Sequence, residues 1–247
     1  MTKTKLETFI KKYSLGGTLD EVRWISNGKT LKVSEMTSDK KFLATVEMKN
    51  FDAFKETEFV VTNTPKLKSL ISALSENVTV DLNAGEDDEN RIISINVADE
   101  KNSFVYNTGD SEHLQKKPKI QSIPNYEVEI KLTEDFVNSF SKAKAALSDV
   151  QLFTFVMSKK NRLEMVLGYS SNINTDRFVL SLDTLDDKNK LKEPASFSAG
   201  ILKEILAANS EVKDPIFKVS EQGLAYVEFD TPDFNAKYYM IKVPVED

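Results

Sequence analysis

Leu6-Glu7-Thr8-Phe9-Ile10-Lys11-Lys12-Tyr13 is followed, past Gly16-Gly17, by Val22-Arg23-Trp24-Ile25-Ser26-Asn27-Gly28-Lys29-Thr30-Leu31-Lys32-Val33. The first stretch reads as a helix and the second as a hairpin. Leu6, Phe9, Ile10 and Tyr13 recur at i, i+3, i+4 and i+7, which is one face of a 3.6-residue period. Thr4-x-x-Glu7 has the form of a capping box, and the two glycines supply a stop. Beyond them, two apolar runs flank Asn27-Gly28, a pair suited to a tight turn whose central residues need positive φ.

The same order occurs three more times. Leu67, Leu70, Ile71 and Leu74 repeat the helical spacing after Thr64-Pro65, a cap followed by proline at the first helical position. Phe136, Phe140, Ala143 and Leu147 follow Thr133, with Glu134 and Asp135 in the first turn, and Ile201, Leu202, Ile205 and Ala208 follow Ser198. From Leu6 to Leu67 to Phe136 to Ile201 the intervals are 61, 69 and 65 residues, a repeat signal. Paired strand-like runs come after each helix: 78–82 with 92–97, 152–156 with 163–167, and 216–219 with 224–229. Further runs lie at 42–48, 103–106, 177–182 and 237–243.

Four helix-and-hairpin units group as two plus two. The polar, proline-bearing stretch from Gly109 to Asn125 lacks periodicity and reads as a connecting loop. The expected architecture is α+β, with an amino-terminal domain over 1–109, an interdomain loop over 110–125 and a carboxy-terminal domain over 126–247. Each domain packs two helices on one face of an antiparallel sheet.

Composition narrows the chemistry. In 247 residues there is no cysteine, which excludes disulfides and thiolate sites, and the lone His113 leaves no histidine cluster for a metal. His113 sits in a polar stretch and reads as a surface residue, not a triad member. The eight glycines form no dinucleotide fingerprint, and Gly28-Lys29-Thr30 lacks the glycine five residues earlier that a phosphate loop needs, because Arg23 stands there. Glu86-Asp87-Asp88-Glu89 lacks the spaced ligands and central glycine of a calcium loop and reads as a solvated hairpin tip. No metal, no cofactor and no catalytic step are expected. No run approaches the roughly 20 apolar residues that cross a bilayer, and the amphipathic pattern starts close to Met1, so a cytoplasmic location without membrane contact is expected.

Charge follows the repeat. The four helices carry nine lysines and four acids, a net of +5; with −6 overall, the remainder carries −11. On a helical wheel Lys5, Lys11, Lys12, Lys142 and Lys203 fall opposite or nearly opposite the apolar stripes, while Lys66 and Lys68 flank theirs. Lysine-rich helices on so acidic a body suit a polyanion. With no aromatic residue on those faces, a duplex backbone fits better than stacked single-stranded bases. The plainer alternative is a non-catalytic structural or scaffolding protein whose lysines face water. A third is a hydrolase with a metal on the 86–89 carboxylates.

The order and spacing resemble the sliding clamps, a family that includes the DNA polymerase processivity factors of T-even-type phages and the eukaryotic and archaeal proliferating cell nuclear antigen. The local likenesses are Trp24-Ile25-Ser26-Asn27-Gly28, Glu127-Val128-Glu129-Ile130-Lys131-Leu132, Leu202-Lys203-Glu204-Ile205-Leu206 and Lys237-Tyr238-Tyr239-Met240-Ile241-Lys242-Val243-Pro244. Short loops, and a first helix with no strong strand before it, point to a viral clamp, which would act in the host cytoplasm.

The resemblance implies a homotrimeric ring around double-stranded DNA, held without sequence preference, that tethers a DNA polymerase and is opened by a clamp loader. Lys5, Lys11, Lys12, Lys66, Lys68, Lys142, Lys144 and Lys203 would face the duplex. Subunits would join by pairing Ser103, Phe104, Val105 and Tyr106 with Leu163, Glu164, Met165, Val166 and Leu167 of a neighbour. A partner's short peptide would dock in a pocket assigned by position to Met36, Phe42, Leu114, Ile120, Ile123, Pro124, Tyr126, Pro244 and Val245.

Overall fold

The structure, a computed structural model, describes residues 1–86, 91–109, 125–160, 162–170, 175–182 and 191–244. The chain divides into two compact units. One takes in Met1–Thr37, Ala44–Lys119 and Asp230–Ala236, and the other Ser38–Leu43, Ile120–Phe229 and Lys237–Asp247.

In the first unit, α1 (Lys3–Ser14) and α2 (Thr64–Ser72) pack against each other. The cap of α1 is Thr2, not Thr4: the Lys5 N–H donates to its hydroxyl at 3.2 Å, and Thr4 lies inside the first turn. The cap of α2 is also earlier than expected, here by one residue, at Asn63, whose side chain accepts from the Lys66 N–H at 2.9 Å. Leu15 (φ 44°), Gly16 (φ 66°) and Gly17 (φ 100°) turn the chain out of α1.

Strands β1 (Val22–Asn27), β2 (Leu31–Met36), β3 (Phe42–Met48) and β4 (Glu56–Val61) run in the order β4-β1-β2-β3. The β1–β2 turn centres on Gly28 and Lys29, one residue later than expected, with positive φ at Gly28; the Asn27 side chain accepts from the Lys29 and Thr30 N–H groups. A separate sheet, β5 (Thr79–Ala84), β6 (Ile92–Ala98) and β7 (Ser103–Asn107), runs antiparallel in chain order. Period-3.6 and period-2 faces meet at Trp24, whose ring lies 5.6 Å from Phe9 and 5.7 Å from Phe59. Its Nε1–H donates to the Tyr13 hydroxyl at 3.3 Å, which in turn meets Thr64 at 3.4 Å, so the polar tips of this core are satisfied.

In the second unit, β8 (Val128–Lys131), β13 (Ile216–Val219), β14 (Leu224–Asp230) and β15 (Phe234–Ile241) run in the order β15-β14-β13-β8, with the turn at Asp230–Ala236 assigned to the first unit. A second sheet of β9 (Leu152–Met157), β10 (Leu163–Leu167), β11 (Phe178–Ser181) and β12 (Ala195–Ser198) has the order β11-β10-β9-β12. Helices α3 (Glu134–Ala146) and α4 (Ala199–Ala208) carry the expected caps, Thr133 and Ser198, and pack together over a phenylalanine core of Phe140, Phe153, Phe155, Phe197 and Phe217. Burying each such ring is worth about 2–3 kcal/mol. Among the described residues, no helix is long and apolar enough to cross a membrane.

Candidate nucleic-acid interface and partner surfaces

The helix lysines separate into three groups. Lys11, Lys66, Lys68, Lys142 and Lys203 are exposed. Lys5 is half-buried in an ion pair with Asp233 at 2.9 Å, and Lys144 folds back onto its own helix end, donating to the Ser148 carbonyl at 2.8 Å and the Leu147 carbonyl at 3.4 Å. Each of these cations is partly spent inside its own unit.

Lys12 corrects the helical-wheel reading outright. Its side chain is 1% exposed, and its Nζ lies 5.5 Å from the centroid of the Phe234 ring. The reason is a distant segment: the Asp230–Ala236 turn covers the flank of α1 that carries Lys5 and Lys12. Lys49 completes the contact, donating to Asp230 at 2.6 Å and to the Thr231 carbonyl at 2.8 Å. Asp233 is 228 residues from Lys5, so helical periodicity alone does not register this cover.

The strand assignment for a subunit edge also divides. Among the described residues β7 pairs with β6 alone, leaving one side of Ser103, Phe104, Val105 and Tyr106 at a sheet edge, with Val105 60% exposed. Tyr106 itself is buried, and its hydroxyl accepts from the Asn63 N–H at 2.8 Å. Leu163, Glu164, Met165, Val166 and Leu167 form β10, which is interior: it pairs with β9 on one side and β11 on the other. Its backbone ladder is therefore occupied twice and has no side left for a neighbour. The neighbouring strand β11 is the sheet edge among the described residues, with Phe178 42% and Val179 45% exposed.

Of the residues assigned to a peptide pocket, Leu114, Ile120, Ile123, Pro124 and Val245 lie outside the described residues. Phe42 is a correction: it is buried, stacked on Tyr238 with centroids 6.2 Å apart, and belongs to the core. Met36 is half-buried at the end of β2, and Pro244 is exposed. Tyr126 stacks on Tyr226 at 5.9 Å, and Tyr226 lies 4.9 Å from Tyr239.

Tyr226 and Tyr239 are functional candidates that sequence reasoning missed. Strand alternation was the available signal, since Ala225, Val227 and Phe229 go inward and leave Tyr226 and Glu228 on the other face. The Tyr126 hydroxyl is buried with no hydrogen-bond partner among the described residues. Burial pushes the Tyr126 phenol up to about 12, with the neighbouring Tyr239 adding to it. The Tyr226 phenol is raised further by burial and by its hydrogen bond to the Glu228 carboxylate. Lys218 lies 6.0 Å from the Tyr126 ring centroid and pairs with Glu129 at 2.6 Å. The result is an apolar aromatic patch on β14, β15 and the lead into β8, rimmed by compensated charge.

No group of three or more histidine, aspartate or glutamate side chains placed to hold a metal ion occurs among the described residues. Asp87, Asp88 and Glu89 of the acidic tip lie outside them.

No protein-family model and no curated protein matches this sequence. Solved structures do. Proliferating cellular nuclear antigen from Entamoeba histolytica superposes with a TM-score of 0.71 at 16% identity, over 98% of this chain and 96% of that one. A. fulgidus PCNA, in a structure with the C-terminal region of FEN-1 bound, gives a TM-score of 0.71 at 15% identity, over 100% of this chain and 98% of that one. Neither is a phage protein. At such low identity with nearly complete mutual coverage, the likeness is one of fold: this chain has the α+β fold of PCNA, with two helix-and-sheet units, over its whole length.

Proposed function

We propose that this protein is a DNA sliding clamp, a homotrimeric ring that encircles duplex DNA and tethers the replicative polymerase. The observation that carries the reading is the PCNA fold shared across the full chain. The lysines that remain at the surface, Lys11, Lys66, Lys68, Lys142 and Lys203, supply the cationic lining. Contacts from single lysines to phosphates are weak, salt-sensitive and blind to sequence, so they permit sliding, and retention comes from closure of the ring. No catalytic step is assigned to the chain.

Closure uses two of the strand edges left open among the described residues: β7 of one subunit pairs antiparallel with β11 of the next, burying Val105, Phe178 and Val179. This replaces the β7–β10 pairing expected from the sequence. Polymerase and clamp loader dock through a short peptide on the aromatic patch of Tyr126, Tyr226 and Tyr239, where a polar group of the peptide can satisfy the Tyr126 hydroxyl. The bound FEN-1 segment in the A. fulgidus structure supports peptide docking as a use of this fold.

The test is retention on circular against linearised duplex, with polymerase extension measured beside it. Wild-type protein stays on the circle and slides off the cut form. Charge reversal at Lys11, Lys66, Lys142 and Lys203 together weakens retention and stimulation without lowering the oligomer mass. Equal retention on both templates, or indifference to the four reversals, contradicts the assignment.

A further inference from the structure

The hydrogen bonds that β7 and β11 make inside the chain fix which of their backbone groups face outward. In an antiparallel ladder successive residues turn their N–H and C=O alternately to one neighbour and to the other side. On β7 the phase is set at both ends of its pairing with β6: the Thr108 N–H donates to the Ile93 carbonyl at 3.0 Å, and the Asp99 N–H to the Asn102 carbonyl at 2.8 Å. In that phase Phe104 and Tyr106 bond to β6, and the backbone groups of Ser103, Val105 and Asn107 point to the open side. On β11 the Leu182 N–H donates to the Leu163 carbonyl at 3.2 Å, so Phe178 and Leu180 bond to β10 while Val179 and Ser181 point away from it.

Side chains alternate in the same step. Tyr106 turns to the helix side, where its hydroxyl meets Asn63 at the start of α2, and Phe104 shares that face. Phe178 turns to the helix side of its own unit, lining a cavity of about 470 Å³ with Ala143, Ala146 and Leu147 of α3, and Leu180 shares its face. Val105 and Val179 are therefore the outward residues of both strands, and theirs are the backbone groups that face the open side. Two edges with this same combination of face and phase join antiparallel when the helices stay on one side of the joined sheet.

The phase leaves offsets in steps of two residues. With Val105 opposite Val179, Phe104 meets Leu180 and Tyr106 meets Phe178 on the helix side, and Ser103 meets Ser181 on the other. A shift of one step sets Val105 against Ser181 and Val179 against Asn107; the opposite shift sets Val179 against Ser103 and Val105 against Arg177. Apolar pairs directly across a ladder stabilise it, and only the first offset pairs apolar with apolar on both faces. Resting on the clamp reading, we propose that the subunits join in this one register, Val105 directly opposite Val179 of the next subunit, and that the sheet runs β5-β6-β7-β11-β10-β9-β12 across each joint.

The chain has no cysteine, so a pair can be introduced without interference. Hydrogen-bonded antiparallel partners have Cα atoms about 5.5 Å apart, within disulfide reach, whereas residues one step out of register lie about 7–8 Å apart, beyond it. The test oxidises Val105→Cys/Val179→Cys, Val105→Cys/Ser181→Cys and Ser103→Cys/Val179→Cys with diamide and resolves them on denaturing gels without reductant. Light scattering of the wild type and of the reduced variants runs beside it. The first pair yields a covalent trimer, about fivefold or more above either offset pair, and Val105→Cys alone yields none. A trimeric mass with equal or stronger cross-linking by an offset pair overturns the register and leaves the ring standing. A trimeric mass with no cross-link from any pair overturns the use of these edges. A monomeric wild type overturns the clamp reading and the register with it.

Discussion

Helices α1 and α3 start from the same plan, a threonine cap and an apolar stripe, and dispose of their lysines differently. With the caps aligned, Lys5 and Lys12 of α1 stand where α3 has Phe136 and Ala143. On α3 that flank is apolar and buried in the ordinary way. On α1 it is cationic and covered all the same, because the Asp230–Ala236 turn brings Asp233 to Lys5 and Phe234 to Lys12. A helical wheel locates the stripe, but a distant segment decides how wide the covered face is.

The sharpest way to break that comparison is at position 12. Lys12→Glu places a carboxylate in a site where the present cation is 1% exposed, and we expect a loss of about 3 kcal/mol or more in urea unfolding. Lys11→Glu, one residue away on the exposed face, should change stability by no more than about 0.5 kcal/mol. Similar values for the two variants would remove the distinction between covered and open flanks.

The strand edges offer the next test. Met165→Lys in the interior strand β10 should unfold the second unit, with a loss of about 3 kcal/mol or more, because that side chain is fully buried. Val105→Lys and Val179→Lys on the open edges should leave the unfolding transition within about 0.5 kcal/mol and lower the assembled mass instead. If Val179→Lys leaves the mass unchanged, β11 is not the joining edge.

A smaller effect concerns the aromatic patch. Tyr126→Phe removes a buried hydroxyl that lacks a partner, so we expect the free protein to be unchanged or stabilised by about 1 kcal/mol, while binding of a polymerase-derived peptide weakens. Because the Tyr126 phenol is raised from 10.0 to about 12, its contribution is complete below pH 10 and is lost as pH rises from there through about 12. An absorbance titration at alkaline pH should show one fewer late-ionising tyrosine in the Tyr126→Phe variant. Ionisation of every tyrosine near pH 10 in the folded protein would contradict the packing of the patch.

Much of this molecule could be read from its residues. All four helices lie where 3.6-residue periodicity puts them, and the hairpins follow at the expected places, because apolar spacing and turn chemistry are local properties. The misplaced features are nonlocal or depend on a choice between positions one or two residues apart. Thr2 and Thr4 both offer a capping hydroxyl, and only the geometry of the first turn selects Thr2. β4 and β12 carry weak local signals, β4 with an exposed amino-terminal half and β12 as a four-residue run leading straight into α4. The apolar character of Leu163–Leu167 marks a strand but not its place in the sheet, and β10 is apolar because it is interior. Phe42 is core where position alone suggests a pocket, and Tyr226 shows in the sequence only as the off-stripe residue of an alternating strand. Local pattern gives elements; burial of a particular side chain needs the partner strand or turn.

The most direct test of the proposed ring is solution mass by light scattering at neutral pH and moderate salt. A closed homotrimer predicts about three times 27.9 kDa, falling toward 27.9 kDa for Val179→Lys. A wild-type mass of 27.9 kDa across the accessible concentration range would contradict the sliding-clamp assignment.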